Sequence, residues 1–65
     1  MKISVNGESH DLAATQLAEA LIELGYAQMT VATALNGNFV AASTRAQIEL
    51  NPGDQLEVLA PMQGG

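Results

Sequence analysis

The sequence contains no cysteine and only one histidine, His10. Without cysteine the chain can form no disulfide, has no thiolate nucleophile and offers no thiolate ligand to a metal. One histidine, with no second histidine and no cysteine, is too little for a catalytic triad or a zinc site. We therefore expect His10 to be a half-exposed strand residue, and the scarcity of catalytic side chains argues against an enzyme.

Basic residues are also scarce, because Lys2 and Arg45 face seven acidic residues and the formal net charge is −5. Nucleic acids and anionic membranes both require basic surface, so this charge argues against either partner. No segment resembles a signal peptide or is long enough to span a membrane, and we expect a cytoplasmic location. No glycine-rich loop opens a helix, which argues against a bound nucleotide, and no metal site is expected.

Tight-turn dipeptides divide the 65 residues into short strands. Asn6-Gly7 and Asn36-Gly37 are strong hairpin signals because both turn positions require positive φ. Pro52-Gly53 predicts a type II turn, in which proline fixes φ and glycine supplies a positive φ. Apolar alternation predicts strands at residues 2–6 and 55–60, and the Asn-Gly turns predict strands that follow them at residues 8–12 (a sheet edge) and 39–40. Residues 31–35 are apolar on both parities, which predicts a central strand with both faces covered or nearly so.

Leucines recur at helical spacing and predict an amphipathic helix over residues 16–24. Thr15 is predicted to be its N-cap, since a hydroxyl can accept a hydrogen bond from a free helical N–H. Gly25 stands where a left-handed C-terminal cap is expected. Glu19 and Glu23 are interpreted as a solvated helix face rather than as an acid–base pair.

The order of these elements predicts an α+β fold, in which a mixed sheet of four or five strands packs on one helix. A right-handed crossover through the helix would place the first and last strands side by side in the middle of the sheet. Residues 1–60 are therefore expected to form one small domain. Residues 61–65 are expected to form a flexible C-terminal tail, because Pro61 ends the last strand.

The sequence ends on Gln63-Gly64-Gly65. Glycine has no Cβ, so a pair of glycines forms a thin arm that a catalyst can approach closely. Five residues beyond the last strand reach roughly 17 Å when extended, which suits insertion into the active site of a partner. The alternative is an inert, frayed terminus.

An apolar docking surface is predicted beside this tail. Alternation in the last strand puts Leu59 on the face of the sheet that one helix cannot cover, and Met62 follows in the tail. Val5 and Phe39 are expected to contribute to the same surface. The alternative is that these are single exposed apolar residues, which are common on protein surfaces.

Nearly the whole chain resembles the ubiquitin-like β-grasp sulfur carriers, and most closely the ThiS family of thiamine biosynthesis. The resemblance lies in residues 5–8 (VNGE), the leucine helix, residues 31–37 (VATALNG) and above all residues 50–58 (LNPGDQLEV) followed by Gln63-Gly64-Gly65. Residues 41–47 depart from the family, which often has a proline and a bulky apolar residue there. This chain has Ala42 and Ser43 there and keeps only Arg45, so the resemblance does not extend to docking contacts that depend on that segment.

The resemblance implies a carrier rather than an enzyme. A ThiF-like adenylyltransferase would use ATP and Mg²⁺ to adenylate Gly65, with Gln63 and Gly64 threading its active site. A persulfide derived from a cysteine desulfurase would convert Gly65 to a thiocarboxylate. A ThiG-like thiazole synthase would then receive the sulfur. The chain itself would bind no cofactor.

Three other functions stay open at the level of sequence. The small subunit of molybdopterin synthase uses the same fold and tail. A β-grasp interaction module with an inert tail would need neither glycine. A ubiquitin-like modifier would form isopeptide bonds with lysines.

Overall fold

The computed structural model describes residues 1–60, so the predicted tail of residues 61–65 lies outside the described part of the chain. Short strands alternate with one α-helix and one 3-10 helix in this range. The elements in chain order are β1 (Lys2–Val5), β2 (Glu8–Asp11), α1 (Leu17–Glu23), β3 (Ala32–Leu35), β4 (Asn38–Val40), the 3-10 helix (Ala42–Gln47) and β5 (Gln55–Leu59).

The five strands form one mixed sheet in the order β2-β1-β5-β3-β4. β1 and β5 are parallel neighbours, whereas the other three pairs are antiparallel. A parallel pair needs a crossover connection, and α1 lies in that connection. The predicted α+β arrangement, with the first and last strands together at the centre, is confirmed, as is the edge position of β2.

The core lies between α1 and one face of the sheet. Its apolar residues from the helix and the flanking loops are Leu12, Ala14, Leu17, Ala20, Leu21, Val31 and Leu50, and those from the strands are Ile3, Val5, Val40, Leu56 and Val58. Thr33 is the one buried polar residue within residues 1–60. Its Oγ1 donates a hydrogen bond of 2.8 Å to the carbonyl of Val40, which removes the cost of burying a hydroxyl.

The three predicted tight turns are confirmed by their backbone angles. Asn6 and Asn36 both have φ of 51°, and the following Gly7 and Gly37 both have φ of 85°. Two consecutive positive φ angles match the twist of a two-residue hairpin. Gly53 has φ of 88°, as the type II turn requires.

The two ends of α1 differ in how well the sequence predicted them. The prediction of Thr15 as N-cap is wrong, because Gln16 is the cap residue and no side chain caps the helix. Residue 16 is extended and forms an isolated bridge with Glu49, while the carbonyl of Thr15 accepts a hydrogen bond from Leu50. This pairing holds residues 15 and 16 outside the helix.

The C-terminal end of α1 is capped as predicted. Gly25 has φ of 96°, and the amides of Gly25 and Tyr26 donate to the carbonyls of Ile22 and Leu21. This pair of bonds satisfies carbonyls that the helix leaves free at its end.

The prediction that both faces of β3 are covered, or nearly so, is wrong. Thr33 is buried, but Ala32 is exposed and Ala34 is half-buried. One helix covers one face of the sheet, and β3 turns its alternate residues to the uncovered face. Small apolar side chains in β3 therefore made it appear more enclosed than it is.

Gly25→Ala should lower the free energy of unfolding by about 1–2 kcal/mol, because an L side chain is strained at this φ. A Cβ at Gly25 would meet no atom within 4 Å, so a loss of stability in this variant reports backbone strain and not a steric clash. Urea unfolding measures it, and Gly25→Asn is the matched control, since asparagine tolerates this region better. Equal stability of Gly25→Ala and the parent would contradict the cap.

Candidate functional site

The candidate site is centred on β5, the strand that leads to the predicted tail. On one side β5 pairs with β3 over four residues, from Leu35 opposite Leu56 to Ala32 opposite Leu59. On the other side it pairs with β1 only through Gln55 and Leu56. β1 turns away after Val5, so the second half of β5 has no strand beside it on that side.

The side chain of Asn6 takes the place of the missing strand. Its Nδ2 donates to the carbonyl of Val58 at 3.0 Å, and its Oδ1 accepts from the amide of Val58 at 2.9 Å. The backbone amide of Asn6 also donates to the carbonyl of Leu56 at 2.9 Å. A carboxamide presents one donor and one acceptor, as a peptide group does, and so continues the ladder as far as Val58.

A second asparagine fixes the beginning of β5. Oδ1 of Asn36 accepts from the amide of Gln55 at 2.8 Å, and its Nδ2 donates to Asp54 Oδ1 at 3.0 Å. Asp54 Oδ2 in turn accepts from the amide of Asn51 at 2.8 Å. The two hairpin turns therefore both contact β5, although sequence reasoning assigned them only a turning role.

The uncovered face of the sheet carries an apolar surface beside β5. Phe39 and Leu59 are exposed at 75% and 72%. Phe39 lies opposite Ala34, and Leu59 lies opposite Ala32, so the four side chains share one face. We call Ala32, Ala34, Phe39 and Leu59 the open-face patch. The exposure predicted for Leu59 and Phe39 is confirmed.

Polar residues border this patch. Glu57 lies opposite Ala34 and is exposed on the same face. The half of the face formed by β1 and β2 carries Lys2 opposite Asp11 and Ser4 opposite Ser9. The patch therefore has an acidic neighbour and a polar margin, as docking surfaces often do.

Val5 does not belong to this surface, and its prediction as a docking residue is wrong. Its side chain is buried in the core together with Ile3, whereas Lys2 and Ser4 point to the other face. β1 alternates as predicted, but its apolar side faces α1. The other predicted site residues, Met62, Gln63, Gly64 and Gly65, lie outside residues 1–60 and are not described by the structure.

The structure also places His10 and Glu23, two polar residues considered in the sequence. His10 is half-buried on β2, with Nε2 3.8 Å from Glu8 Oε1. Glu23 does more than solvate the helix, because its carboxylate accepts hydrogen bonds from the amides of Ala13 and Ala14 at 2.9–3.1 Å. It thereby fixes the loop before α1, across a separation of nine or ten residues that no local pattern reveals.

Within residues 1–60, no group of three or more His, Asp or Glu side chains is arranged to hold a metal ion. None of the helices in this range is long and apolar enough to cross a membrane.

Comparison with known sequences places nearly the whole chain in one protein family. The model of the ThiS family matches residues 3–65. Two proteins named thiazole synthase, from Paramagnetospirillum magneticum and Magnetococcus marinus, are 41% and 39% identical to the chain over its whole length. The chain spans only 20% of the length of each of these curated relatives.

Solved structures give the same answer for the fold. A crystal structure of the thiamine biosynthesis protein ThiS from Geobacter metallireducens superposes with a TM-score of 0.83 at 29% identity, and the match covers both chains completely. A solution structure of a thiamine biosynthesis protein from that organism gives a TM-score of 0.80, also at 29% identity, and covers all of this chain and 88% of the other. The ubiquitin-like β-grasp fold predicted from the sequence is therefore confirmed.

Asn6→Gly should lower the free energy of unfolding by about 1–3 kcal/mol and raise the hydrogen-exchange rate of the Val58 amide, because both side-chain bonds to Val58 are lost. Glycine accepts the positive φ of residue 6, so the turn itself is kept. Asn6→Asp is the matched control, since it retains the acceptor for the Val58 amide but not the donor. Its free energy of unfolding and its Val58 exchange rate should lie between those of the parent and of Asn6→Gly. Unchanged exchange at Val58 in Asn6→Gly would show that the side chain does not hold β5.

Proposed function

The chain belongs to the ThiS family, whose model matches residues 3–65, and we propose that it is a sulfur carrier for the synthesis of the thiamine thiazole ring. The observation that carries this proposal is the extent of that match, which covers nearly all the residues of the folded domain and also the Gly64-Gly65 pair. The name of the structurally similar ThiS from Geobacter metallireducens, a thiamine biosynthesis protein, supports the pathway.

In this proposal the reacting group is the carboxylate of Gly65. A carboxylate is a poor electrophile because it is ionised and resonance-stabilised, so it must first be activated. A ThiF-like adenylyltransferase joins it to AMP, using ATP and Mg²⁺ that the partner binds. A persulfide, supplied through a cysteine desulfurase, displaces AMP and forms an acyl disulfide. A second thiol of the sulfur-donor system then attacks the donor sulfur of this bond, which releases the Gly65 thiocarboxylate and leaves the two donor thiols joined as a disulfide.

The chain contributes presentation rather than catalysis to this sequence of steps. Asn6 holds β5 as far as Val58, only a few residues before the proposed reacting group. The absence of cysteine removes an internal thiol that would attack the activated carboxyl group. Gly64 and Gly65 have no side chains to obstruct a narrow channel, and Gln63 threads behind them.

The open-face patch is the surface on which we propose that the adenylyltransferase docks, with Met62 extending it along the tail. Phe39 is an aromatic side chain of the kind that anchors interfaces, and Leu59 lies on the strand that leads to the tail. Glu57 and the net charge of −5 favour a partner surface with basic residues around an apolar centre.

The recipient that we propose is a ThiG-like thiazole synthase. Two proteins with that name contain a stretch similar to this whole chain, which accounts for 20% of their length. This combination supports the thiamine branch over the small subunit of molybdopterin synthase. The cytoplasmic location expected from the sequence is part of the same proposal.

The carrier function predicts a modified form of the chain. Protein purified from cells that contain the partners should include a fraction heavier by the difference between sulfur and oxygen, located at Gly65 by fragmentation mass spectrometry. Deletion of Gly65 and Gly64→Ala should both abolish this fraction and leave the melting temperature unchanged, because the core lies within residues 1–60. A parent protein that never carries the sulfur in such cells would refute the carrier function.

Leu59→Glu should weaken binding to the adenylyltransferase by at least about tenfold, because it places a charge in the open-face patch on the strand that leads to the tail. Ser9→Glu is the matched control, since it adds the same charge to the polar half of the same face. Titration calorimetry measures the affinity of each variant for the adenylyltransferase. A loss in Leu59→Glu alone shows a local contact, because a general effect of the added charge would weaken both variants. Equal losses in both variants would remove the patch from the interface.

A further inference from the structure

A second surface lies on the opposite side of the sheet, in a groove between α1 and the 3-10 helix. Its walls include Ile22, Tyr26, Met29, Ala42, Arg45 and Ala46. Its volume of about 240 Å³ falls below the range of roughly 300–1,000 Å³ typical of small-molecule sites. The groove therefore suits one or two side chains of a peptide segment.

The rim of the groove is apolar and open to solvent. Ile22 and Met29 are exposed at 63% and 50%, two of the large apolar residues that the fold leaves uncovered. They stand apart from the open-face patch, which lies on the far side of the sheet. The mechanism proposed above does not use them.

Arg45 places a positive charge in the wall of this groove. Its Nε donates to Thr33 Oγ1 at 3.1 Å, and its Nη2 donates to the carbonyl of Val31 at 2.6 Å. Both acceptors are neutral, and neither ion pair found within residues 1–60 involves Arg45. A guanidinium has five N–H donors in a planar fork, so these two bonds orient the group and leave further donors for a carboxylate.

We propose that the groove binds a partner segment in which one aspartate or glutamate stands next to an apolar side chain. The carboxylate pairs with the half-buried guanidinium of Arg45, and the apolar neighbour packs on Ile22 and Met29. The net charge of −5 repels a partner surface that carries many acidic residues. A segment with a single carboxylate among apolar side chains is therefore favoured. Because the two surfaces lie on opposite sides of the sheet, this contact is compatible with an occupied open-face patch.

An NMR titration of the labelled full chain tests the proposal with two peptides, acetyl-Leu-Asp-Leu-amide and acetyl-Leu-Asn-Leu-amide. The aspartate peptide should bind at least about tenfold more tightly, because its carboxylate forms an ion pair with the Arg45 guanidinium, whereas the asparagine carbonyl accepts a hydrogen bond without a charge of its own. Its shifts should fall on Arg45 Nε and on the backbone of residues 18–22 and 42–47. Equal affinity, no binding, or shifts confined to the open-face patch would overturn the proposal.

Three variants sharpen this test. Arg45→Met keeps an apolar stem and should abolish the preference for aspartate over asparagine. Ile22→Ser leaves the bonds of Arg45 intact and should weaken both peptides, so it remains informative if Arg45→Met does not fold. Leu59→Ser is the matched control, with a similarly exposed apolar residue on the other face, and should leave the peptide affinity unchanged.

NMR spectra recorded without peptide test two other occupants of the groove, a second copy of the chain and the end of this chain. Groove shifts that grow with protein concentration would assign the surface to a second copy of the chain. Groove shifts caused by removal of residues 61–65 would assign it to the end of this chain. Either result would overturn the partner segment proposed here.

Discussion

The pair of hydrogen bonds between the Asn6 side chain and Val58 joins the two ends of the chain. The parallel contact between β1 and β5 is short, because a hairpin turn takes β1 away after Val5. The carboxamide then supplies the donor and the acceptor that a longer strand would have supplied. The central strand β5 is thus hydrogen-bonded on both sides as far as Val58.

This arrangement separates the molecule into a packed side and a presented side. α1 and the core occupy one face of the sheet, and Arg45 fastens the 3-10 helix to β3 on that side. The other face carries the open-face patch along β3, β4 and β5. Side chains alternate along β5, so the same strand supplies Leu56 and Val58 to the core and Leu59 to the open-face patch. Packing of the core therefore also fixes the position of Leu59.

Features governed by local chemistry could be predicted from the sequence. Asn-Gly and Pro-Gly turns, the glycine cap at Gly25 and the outward position of Leu59 each depend on a few neighbouring residues. Alternation shows that the apolar residues of a strand share a face, but not whether that face meets the helix or the solvent. For this reason the docking role predicted for Val5 is wrong. In β5 the charged Glu57 shares the face of Leu59, so the solvent side of that strand could be predicted.

Contacts between distant segments could not be predicted in the same way. The pairing of residues 15–16 with residues 49–50 displaces the helix start from Thr15, and Glu23 binds a loop nine or ten residues away. Asn6 was identified as a turn residue, and its contact with Val58 spans 52 positions. Such roles depend on the assembled topology, and a single sequence shows only that the residue types are compatible with them.

The turn that contains Asn6 also has a chemical consequence. In an Asn-Gly sequence the next backbone nitrogen can attack the side-chain carbonyl with little steric hindrance, which leads to deamidation. At Asn6 the cyclic imide formed with loss of ammonia would hydrolyse to aspartate or isoaspartate, and neither product keeps the side-chain amide that donates to the Val58 carbonyl. Hydrolytic ageing at one side chain would therefore loosen the strand that precedes the tail, while Leu17, Leu56 and the rest of the core stayed chemically intact.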